Sequence, residues 1–298
     1  MIVNSRKKQD RIFNIINYTI FGIFTLLCVI PFYYLFINTI SDNDLVRRGL
    51  IRLIPKGFHL NNYVEVFKLR GLGQAAIISI SRTLSGTALT VLSSAFVGYL
   101  MTKNNMWGRK FWYRYIIVTM YFSAGLIPWY MNMVMLGLLN NFLAYIIPGM
   151  VAPFSVILVK TYIESIPASL EESASIDGAG TVTIFSKIIL PLTKPILATI
   201  AIFAAVGHWN SFLDTLFLMT NEKLFSLQFV LWRYLNEANY LASIMRSGTT
   251  AAVNASQALT PRTIQMTISM VVIFPILCTY PFMQRFFIKG IMVGAIKG

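Results

Sequence analysis

Six long apolar stretches constrain the fold of this 298-residue chain more than any other feature of its sequence. Each is about 20 residues long or longer, which is the length at which an α-helix crosses a hydrocarbon layer of about 30 Å. The chain is 56% hydrophobic and 12% charged, whereas a soluble domain carries about a quarter charged residues. We therefore predict an all-α integral membrane protein with about six transmembrane helices. The stretches are Ile15 to Ile40, Ala75 to Leu100, Tyr113 to Val134, Phe142 to Ile163, Pro195 to Met219 and Ile264 to Met283.

The distribution of charge predicts the topology. The formal net charge is +14, but the cations flank the apolar stretches and form no continuous patch, which argues against nucleic-acid binding. If both termini lie in the cytoplasm, most of the cations in short loops are also cytoplasmic, as the positive-inside rule requires. Six cations between Arg47 and Arg70 then lie in the first outer loop. The first stretch is too long for a signal peptide, and no small-residue cleavage site follows it. The predicted cytoplasmic cations are Arg6, Lys7, Lys8, Arg11, Lys103, Arg109, Lys110, Arg114, Lys160, Lys187, Lys194, Arg285, Lys289 and Lys297.

We predict one transmembrane domain at 15–288, between a cytoplasmic N-terminal tail at 1–14 and a cytoplasmic C-terminal tail at 289–298. The domain has external loops at 41–74 and 220–263 and a cytoplasmic loop at 164–194. No internal repeat is visible, which counts against transporter folds built from paired halves. Cys28 and Cys278 fall inside apolar stretches, so we expect core residues and no disulfide or metal site.

The second apolar stretch is rich in small residues, including Ser79, Gly86, Ser94 and Gly98. Small residues let membrane helices approach closely, so we expect this stretch in the interior. Arg82 lies near its outer end. We expect its side chain to snorkel to the membrane interface or to cap the end of an adjacent helix, and ligand binding is the alternative.

The polar loop between the fourth and fifth stretches has the pattern of a short helical hairpin. Ser169 and Glu172 have the spacing of a capping box, in which each side chain binds the other residue's amide. Gly178 offers the left-handed conformation that ends a helix. We predict a helix of about eight residues, about 12 Å long. The same pattern also fits a capped interfacial turn with no partner.

This hairpin resembles the EAA loop of binding-protein-dependent ABC importers. The family pattern is Glu-Ala-Ala, three residues, Gly, nine residues, and Ile-x-Leu-Pro. Six of the seven defining positions match, and the exception is Ser173, a small residue in place of Ala. The seven positions are Glu172, Ser173, Ala174, Gly178, Ile188, Leu190 and Pro191.

The resemblance implies a type I ABC importer permease fold, in which this loop is a coupling helix that enters a cleft of a cytoplasmic ATPase and drives alternating access. The chain has no G-x-x-x-x-G-K-[ST] loop to hold nucleotide phosphates. The resemblance therefore assigns ATP and Mg²⁺ to a separate ATPase subunit, and to this chain no cofactor, metal or catalytic residue. The implied ATPase-coupling residues are Glu172, Ser173, Ala174, Asp177, Gly178, Ala179, Ile188, Leu190 and Pro191.

The resemblance covers nearly the whole chain. The segment Trp209-Asn210-Ser211-Phe212 looks like the W-N-x-F segment of carbohydrate permeases. The C-terminal tail is similar to that of MalG-type maltose permeases, and closer still to their LplC/YtcP branch. These likenesses imply a bacterial plasma-membrane subunit that works with a second permease subunit as a heterodimer, an ATPase dimer and an extracellular solute-binding protein. They also imply a second ATPase contact at Lys297 and Gly298, for which a free terminus is the alternative.

Sugar recognition needs aromatic faces and polar side chains in a largely apolar enclosure. The substrate-pathway candidates are Trp129, Tyr130, His208, Trp209, Asn210 and Asp214. Asn210 and Asp214 are one helical turn apart, and polar residues within a membrane tend to face a bundle interior. Alternatively, the aromatic residues form an interfacial belt, or the partner permease carries most of the sugar contacts.

The first outer loop favours one cargo class. Its exposed cations would attract acidic oligosaccharides such as uronate-containing fragments. Acidic lobes of the binding protein or anionic membrane lipid are alternative partners for the same charges. The cations concerned are Arg47, Arg48, Arg52 and Lys56.

Two other function classes remain at this point. An ion-coupled secondary transporter of a small polar solute needs buried carboxylates in matched repeats, and Asp214 alone is weak support. An intramembrane enzyme needs a catalytic motif, and neither HExxH nor a recognised Ser or Asp pair is present. The sequence thus favours a permease subunit over an enzyme.

Overall fold

The computed structural model describes the backbone of residues 2–246 and 262–295 and the side chains of residues 10–236 and 262–279. All regular structure in these ranges is helical, which confirms the all-α prediction. Besides the α-helices, these ranges contain 3-10 helices at Phe142–Tyr145 and Glu222–Leu224 and a π-helix at Phe185–Ile189. The α-helices are α1 Ile2–Thr39, α2 Asn43–Arg47, α3 Asn61–Lys68, α4 Leu72–Leu100, α5 Arg109–Tyr121, α6 Leu126–Met135, α7 Pro153–Ile163, α8 Ser169–Ile176, α9 Thr181–Ile184, α10 Leu190–Leu192, α11 Lys194–Asn210, α12 Leu213–Leu218, α13 Leu227–Arg246 and α14 Arg262–Ala295.

The chain divides into two compact units. The first comprises Met1–Leu69 and Tyr234–Ile273, and the second comprises Arg70–Arg233 and Phe274–Gly298. The expectation of one transmembrane domain at 15–288 stays a prediction. Lys297 and Gly298 lie outside the described residues.

The first unit contains α1 and an ordered loop that includes α2 and α3. Asp42 accepts hydrogen bonds from two backbone amides at the start of α2, and its own amide donates to the Lys56 carbonyl at 2.9 Å. Ile37, Val46 and Ile51 form a small buried cluster beneath this loop. The loop therefore holds its exposed cations on a fixed backbone. These cations are Arg47, Arg48, Arg52 and Lys56.

In the second unit, α4 packs against α7 and α11 through small residues. A Cβ added at Gly98 would lie 3.0 Å from the Val159 side chain, and one added at Gly86 would lie 2.5 Å from the His208 imidazole. Ser94 is also buried. One face of the second apolar stretch is therefore buried as predicted, because only small residues allow such close approach, whereas Leu84 and Leu92 of the same helix are exposed.

Three described helices are each long and apolar enough to cross a membrane: α1 over Asp10–Thr39, α4, and α14 over Arg262–Thr279. Most side chains of α1 beyond Asp10 are exposed, which suits a lipid-facing helix. Cys28 and Cys278 are also exposed. The expectation that these two cysteines are core residues is therefore wrong, because apolar residues of membrane helices face lipid as readily as protein.

The other three apolar stretches form helices that are interrupted along their length. The third stretch breaks between α5 and α6, where Gly125 has a φ of +87°. In the fourth, α7 begins at Pro153, which has no amide to continue an earlier helix. The fifth breaks at Ser211, whose extended backbone separates α11 from α12. Backbone breaks of this kind require burial or water at membrane depth.

Candidate functional site

The first helix of the hairpin begins at Ser169, one residue earlier than the predicted capping box implies. Ala168 already has a helical backbone, with φ −61° and ψ −26°, and its carbonyl accepts from the amides of Glu171 and Glu172, each at 3.0 Å. No side chain caps the helix, so the capping box of Ser169 and Glu172 is wrong. The helix itself, α8, has the predicted eight residues.

The end of α8 is as predicted. Gly178 has a φ of +80°, the left-handed conformation that glycine adopts without a steric cost. Its amide donates to the Ser175 carbonyl at 3.1 Å, and the Ala179 amide donates to the Ala174 carbonyl at 2.9 Å. These bonds close the last turn of the helix and reverse the chain into α9.

The helix α8 has two unlike faces. Ala174 is buried in a cluster with Tyr99 of α4, Ile163 of α7 and Ile200 of α11, and Ala179 packs against that cluster. The opposite face is exposed and carries both charge and an apolar side chain. It consists of Glu172, Ser173, Ile176 and Asp177, of which Ile176 is 87% exposed. Ile176 was not among the residues expected from the sequence, although its place between Ala174 and Asp177 could have identified it.

An ion pair fixes α8 to the loop after α4. The Lys103 ammonium contacts the Glu171 carboxylate and lies 4.2 Å from the centre of the Tyr99 ring. Burial lowers the pKa of Lys103 from its ordinary value of 10.5. Sequence reasoning missed this pair because the two residues are far apart along the chain.

The second arm of the hairpin runs from α9 through the π-helix to α10. Ile189 is fully buried there, Ile188 and Leu190 are half-buried, and Pro191 is exposed. The segment Thr181–Leu192 meets α11 at an angle of 80°. Among the predicted coupling residues, Glu172, Ser173 and Asp177 thus lie on the exposed face of α8. Ala174, Ala179 and Ile188 pack against the core.

A buried charge network lies at the break between α11 and α12. Arg82 of α4 is 1% exposed, so the expectation that it snorkels to the interface is wrong. Its guanidinium forms an ion pair with Asp214 and donates to the Ser211 carbonyl at 3.2 Å. Asp214 also accepts from the Thr215 amide at 2.8 Å, and the Tyr145 ring centre lies 4.3 Å from the guanidinium carbon.

Hydroxyl groups extend the charge network. The Tyr145 hydroxyl donates to the Leu224 carbonyl at 2.7 Å and lies 3.0 Å from the Thr215 hydroxyl, which is 2.9 Å from that of Ser226. The predicted pathway residue Asp214 is therefore bound by its own chain. The sequence signal for this pair was that Arg82 and Asp214 are opposite charges in two different apolar stretches, because charged side chains within a membrane tend to pair.

The other pathway candidates lie in different environments. His208 packs directly on Gly86 of α4. Asn210 is exposed at the last residue of α11, so its predicted one-turn spacing from Asp214 on a continuous helix is wrong. Trp129 and Tyr130 pack against a core cluster that includes Tyr145 of the charge network.

Trp209 lines an apolar groove of about 520 Å³ between α4, α11 and α14. Thr83 also lines it, and the Thr83 hydroxyl is buried with no hydrogen-bond partner among the described residues. The groove wall is otherwise almost entirely hydrophobic. Its other residues are Ile80, Leu84, Ile202, Phe203, Ala205, Val206, Pro275, Ile276 and Thr279. Among the described residues, no three His, Cys, Asp or Glu side chains converge on a metal site.

Comparison with known proteins identifies the family. The family described as "Binding-protein-dependent transport system inner membrane component" matches residues 94–293. The chain is 31% identical over 290 residues to the polygalacturonan/rhamnogalacturonan transport system permease protein YtcP of Bacillus subtilis, covering 97% of this chain and 100% of that protein. It is 32% identical over 292 residues to the protein LplC of the same organism, covering 98% of this chain and 97% of that one.

A solved structure gives the same result. The crystal structure of a bacterial ABC transporter involved in the import of the acidic polysaccharide alginate contains a chain that aligns with a TM-score of 0.81 and 31% identity. The alignment covers 94% of this chain and 98% of that chain. The type I ABC importer permease fold is thereby confirmed, and so is a role as a permease subunit instead of an enzyme. The alternative of an ion-coupled secondary transporter finds no support in these relatives. The chain belongs to the family of binding-protein-dependent transport system inner membrane components.

Proposed function

We propose that this chain is one of two permease subunits of an ATP-driven carbohydrate importer in a bacterial plasma membrane, with both termini and the hairpin in the cytoplasm. Its partners are a second permease, a cytoplasmic ATPase dimer and an extracellular solute-binding protein. ATP and Mg²⁺ bind to the ATPase. Closure of the ATPase dimer drives the outward-facing state, which requires that ATP and loaded binding protein favour that state over the inward-facing one.

The exposed face of α8 is the observation that carries this proposal. Ile176 is 87% exposed in a polar loop, away from the apolar stretches that would meet lipid. Burying such a side chain against a partner is worth about 1.5–3 kcal/mol. Glu172 and Asp177 flank it with negative charge, so the face combines an apolar anchor with a charged rim, as protein interfaces do. Lys297 and Gly298 are proposed as a second ATPase contact.

The buried face of α8 gives a route for force. Ala174 packs with residues of α4, α7 and α11, and close-packed interiors transmit displacement because they compress little. A pull on the exposed face therefore moves the inner ends of these helices. The predicted coupling residues Ile188, Leu190 and Pro191 serve the same purpose by joining the hairpin to α11.

Replacement of Ile176 tests the docking role. Ile176→Asp in the complete importer should lower binding-protein-stimulated ATP hydrolysis and uptake by roughly tenfold or more, because each 1.4 kcal/mol of lost contact is about tenfold. Asn105→Asp introduces the same charge at an exposed position in the loop after α4 and should leave both rates unchanged. Normal coupled ATP hydrolysis in Ile176→Asp would contradict the docking role, and uptake driven by an ion gradient without ATP would contradict the importer itself.

We propose an acidic oligosaccharide as the cargo. The permease relative YtcP is named for polygalacturonan and rhamnogalacturonan transport, and the structural neighbour belongs to an alginate importer. In this chain the ordered loop around α2 exposes Arg48, Arg52 and Lys56, and its potential would attract uronates. Trp209, beside an apolar groove, is the pathway candidate that the geometry favours for stacking on a sugar ring.

Charge removal separates cargo attraction from other roles of the loop. In a variant with Arg47, Arg48, Arg52 and Lys56 all changed to Gln, uptake of a uronate oligosaccharide should fall more than that of a neutral one. Added salt should reduce the difference by screening. Equal losses for both sugars would instead assign these cations to the binding protein or to lipid.

A further inference from the structure

We infer that the start of α5 forms a binding site for the headgroup of an anionic phospholipid. This surface, the basic-aromatic collar, consists of Trp107, Lys110, Phe111, Arg114 and Tyr115. It lies where the chain enters the third apolar stretch, on the proposed cytoplasmic side. The comparisons with other proteins give no role to these residues.

The charge of the collar has no counterpart in its own part of the chain. No acidic residue occurs between Glu65 and Glu164. Two nearby cations are engaged within the protein, since Lys103 pairs with Glu171 and Arg109 donates to the Thr102 carbonyl at 3.1 Å.

Lys110 and Arg114 remain for an external partner. They are four residues apart on α5 and therefore lie on neighbouring turns of one face. Both are exposed, and within the described residues neither forms an ion pair or hydrogen bond. Two free cations at one membrane level suit the phosphate of a headgroup, because each cation near an anionic bilayer surface raises affinity roughly fivefold.

The aromatic side chains point to a bilayer and not to free solvent. Trp107 is 84% exposed. The Phe111 and Tyr115 rings stack at 6.5 Å between centroids, and Trp112 lies 6.2 Å from Tyr115. Exposed Trp and Tyr beside Lys and Arg are typical of the headgroup level, where the rings contact acyl chains and the cations contact phosphate. A water-facing loop would gain nothing from this apolar area.

The collar is joined to the hairpin through the loop at 101–108. Arg109 also donates to the Asn104 side chain at 2.6 Å, which ties the start of α5 to this loop. The loop in turn holds α8 through the pair of Lys103 and Glu171. A headgroup bound at Lys110 and Arg114 would thus fix the loop that supports α8. This consequence rests on the proposed docking of α8 to the ATPase, whereas lipid binding itself does not.

The test compares the complete importer in nanodiscs of phosphatidylcholine with nanodiscs of phosphatidylcholine and phosphatidylglycerol. Retained phosphatidylglycerol is counted by native mass spectrometry, and binding-protein-stimulated ATP hydrolysis is measured in parallel. The variant is K110Q/R114Q. The matched control is K68Q/R70Q, which removes two exposed cations at the C-terminal end of α3, on the proposed external side.

We expect wild type and K68Q/R70Q to retain phosphatidylglycerol and to hydrolyse ATP faster in its presence, while K110Q/R114Q loses roughly tenfold or more in lipid affinity and loses the stimulation. The charge-conserving K110R/R114K should behave as wild type, which excludes misfolding as the cause. Equal lipid retention in K110Q/R114Q and the control would overturn the site. So would a loss of ATP hydrolysis in K110Q/R114Q in both bilayers with lipid retention intact, since the collar would then contact protein. Weaker lipid retention without any change in ATP hydrolysis would keep the lipid site and reject only its link to α8.

Discussion

The hairpin and the charge network differ in whether their charged side chains are exposed or buried. The network buries Arg82 and pairs it with Asp214, and it satisfies the surrounding hydroxyls within the chain. The hairpin exposes Glu172 and Asp177 beside an exposed Ile176. Closed pairing at membrane depth stabilises the subunit itself, whereas an open face with an apolar anchor gains its energy only when another protein covers it. Stability and assembly are thus assigned to different parts of one unit.

The largest expected effect comes from breaking the buried pair. Asp214→Ala leaves the Arg82 guanidinium uncompensated in a site where it is 1% exposed. Removal of one partner from such a pair costs about 3–5 kcal/mol. Thermal unfolding of the purified subunit complex should therefore begin at a much lower temperature than in wild type.

A double replacement sharpens that prediction. Arg82→Met with Asp214→Leu removes both charges and should be less destabilised than Asp214→Ala alone, because no buried charge stays unpaired. If the double variant is no more stable than Asp214→Ala, the carboxylate acts on something other than Arg82.

The next largest effect concerns the contact between α4 and α11. Gly86→Ala places a methyl group 2.5 Å from the His208 imidazole, so the ring must turn away. Overpacking of this kind costs about 1–3 kcal/mol. We expect a lower unfolding temperature, recovered in Gly86→Ala with His208→Ala.

Gly73→Ala is the matched control on the same helix. A Cβ at Gly73 meets nothing within 4 Å. The substitution should raise stability by up to about 1 kcal/mol, since alanine is the better helix former. Equal effects at both glycines would mean that the His208 ring adapts without cost.

The sequence predicted elements that depend on local chemistry and missed those that depend on tertiary contacts. The length of α8 and its end at Gly178 follow from residue types within one turn, and both are confirmed. The pairing of Arg82 with Asp214 joins residues 132 positions apart, and no local pattern specifies it. The capping box failed because Ala168 had already entered the helix, which left Ser169 with no free amide to cap.

In the hairpin, Gly178 is expected to matter for coupling more than for stability. Its φ of +80° makes any side chain there strained by about 1–2 kcal/mol. Gly178→Ala should therefore tilt or loosen the end of α8 and lower stimulated ATP hydrolysis severalfold, with a modest fall in unfolding temperature. Gly180→Ala is the control, because Gly180 has a φ of −72° and open space around it. A loss of the same size in Gly180→Ala would show that the loop needs flexibility and not the left-handed turn.

The smallest effect is expected at the pair of Lys103 and Glu171, the one place where the hairpin resembles the charge network. The two side chains are 20% and 23% exposed, and partly solvated pairs contribute at most about 1 kcal/mol. A double-mutant cycle with Lys103→Gln and Glu171→Gln should give a coupling energy within that limit.

The pH dependence of stability shows whether desolvation of the Lys103 ammonium or its attraction to the Glu171 carboxylate dominates. Burial lowers the pKa of Lys103 below its ordinary 10.5, so between the folded value and 10.5 the unfolded chain binds more protons. Stability relative to Lys103→Gln should then rise slightly as the pH increases through that window. A fall in relative stability as the pH rises above 10.5 would instead mean that attraction to Glu171 outweighs desolvation of the ammonium, because the pKa of Lys103 in the folded chain would then lie above its ordinary value. In that case the pair would belong with Arg82 and Asp214, as an internal bond that holds α8 in place whether or not the ATPase is bound.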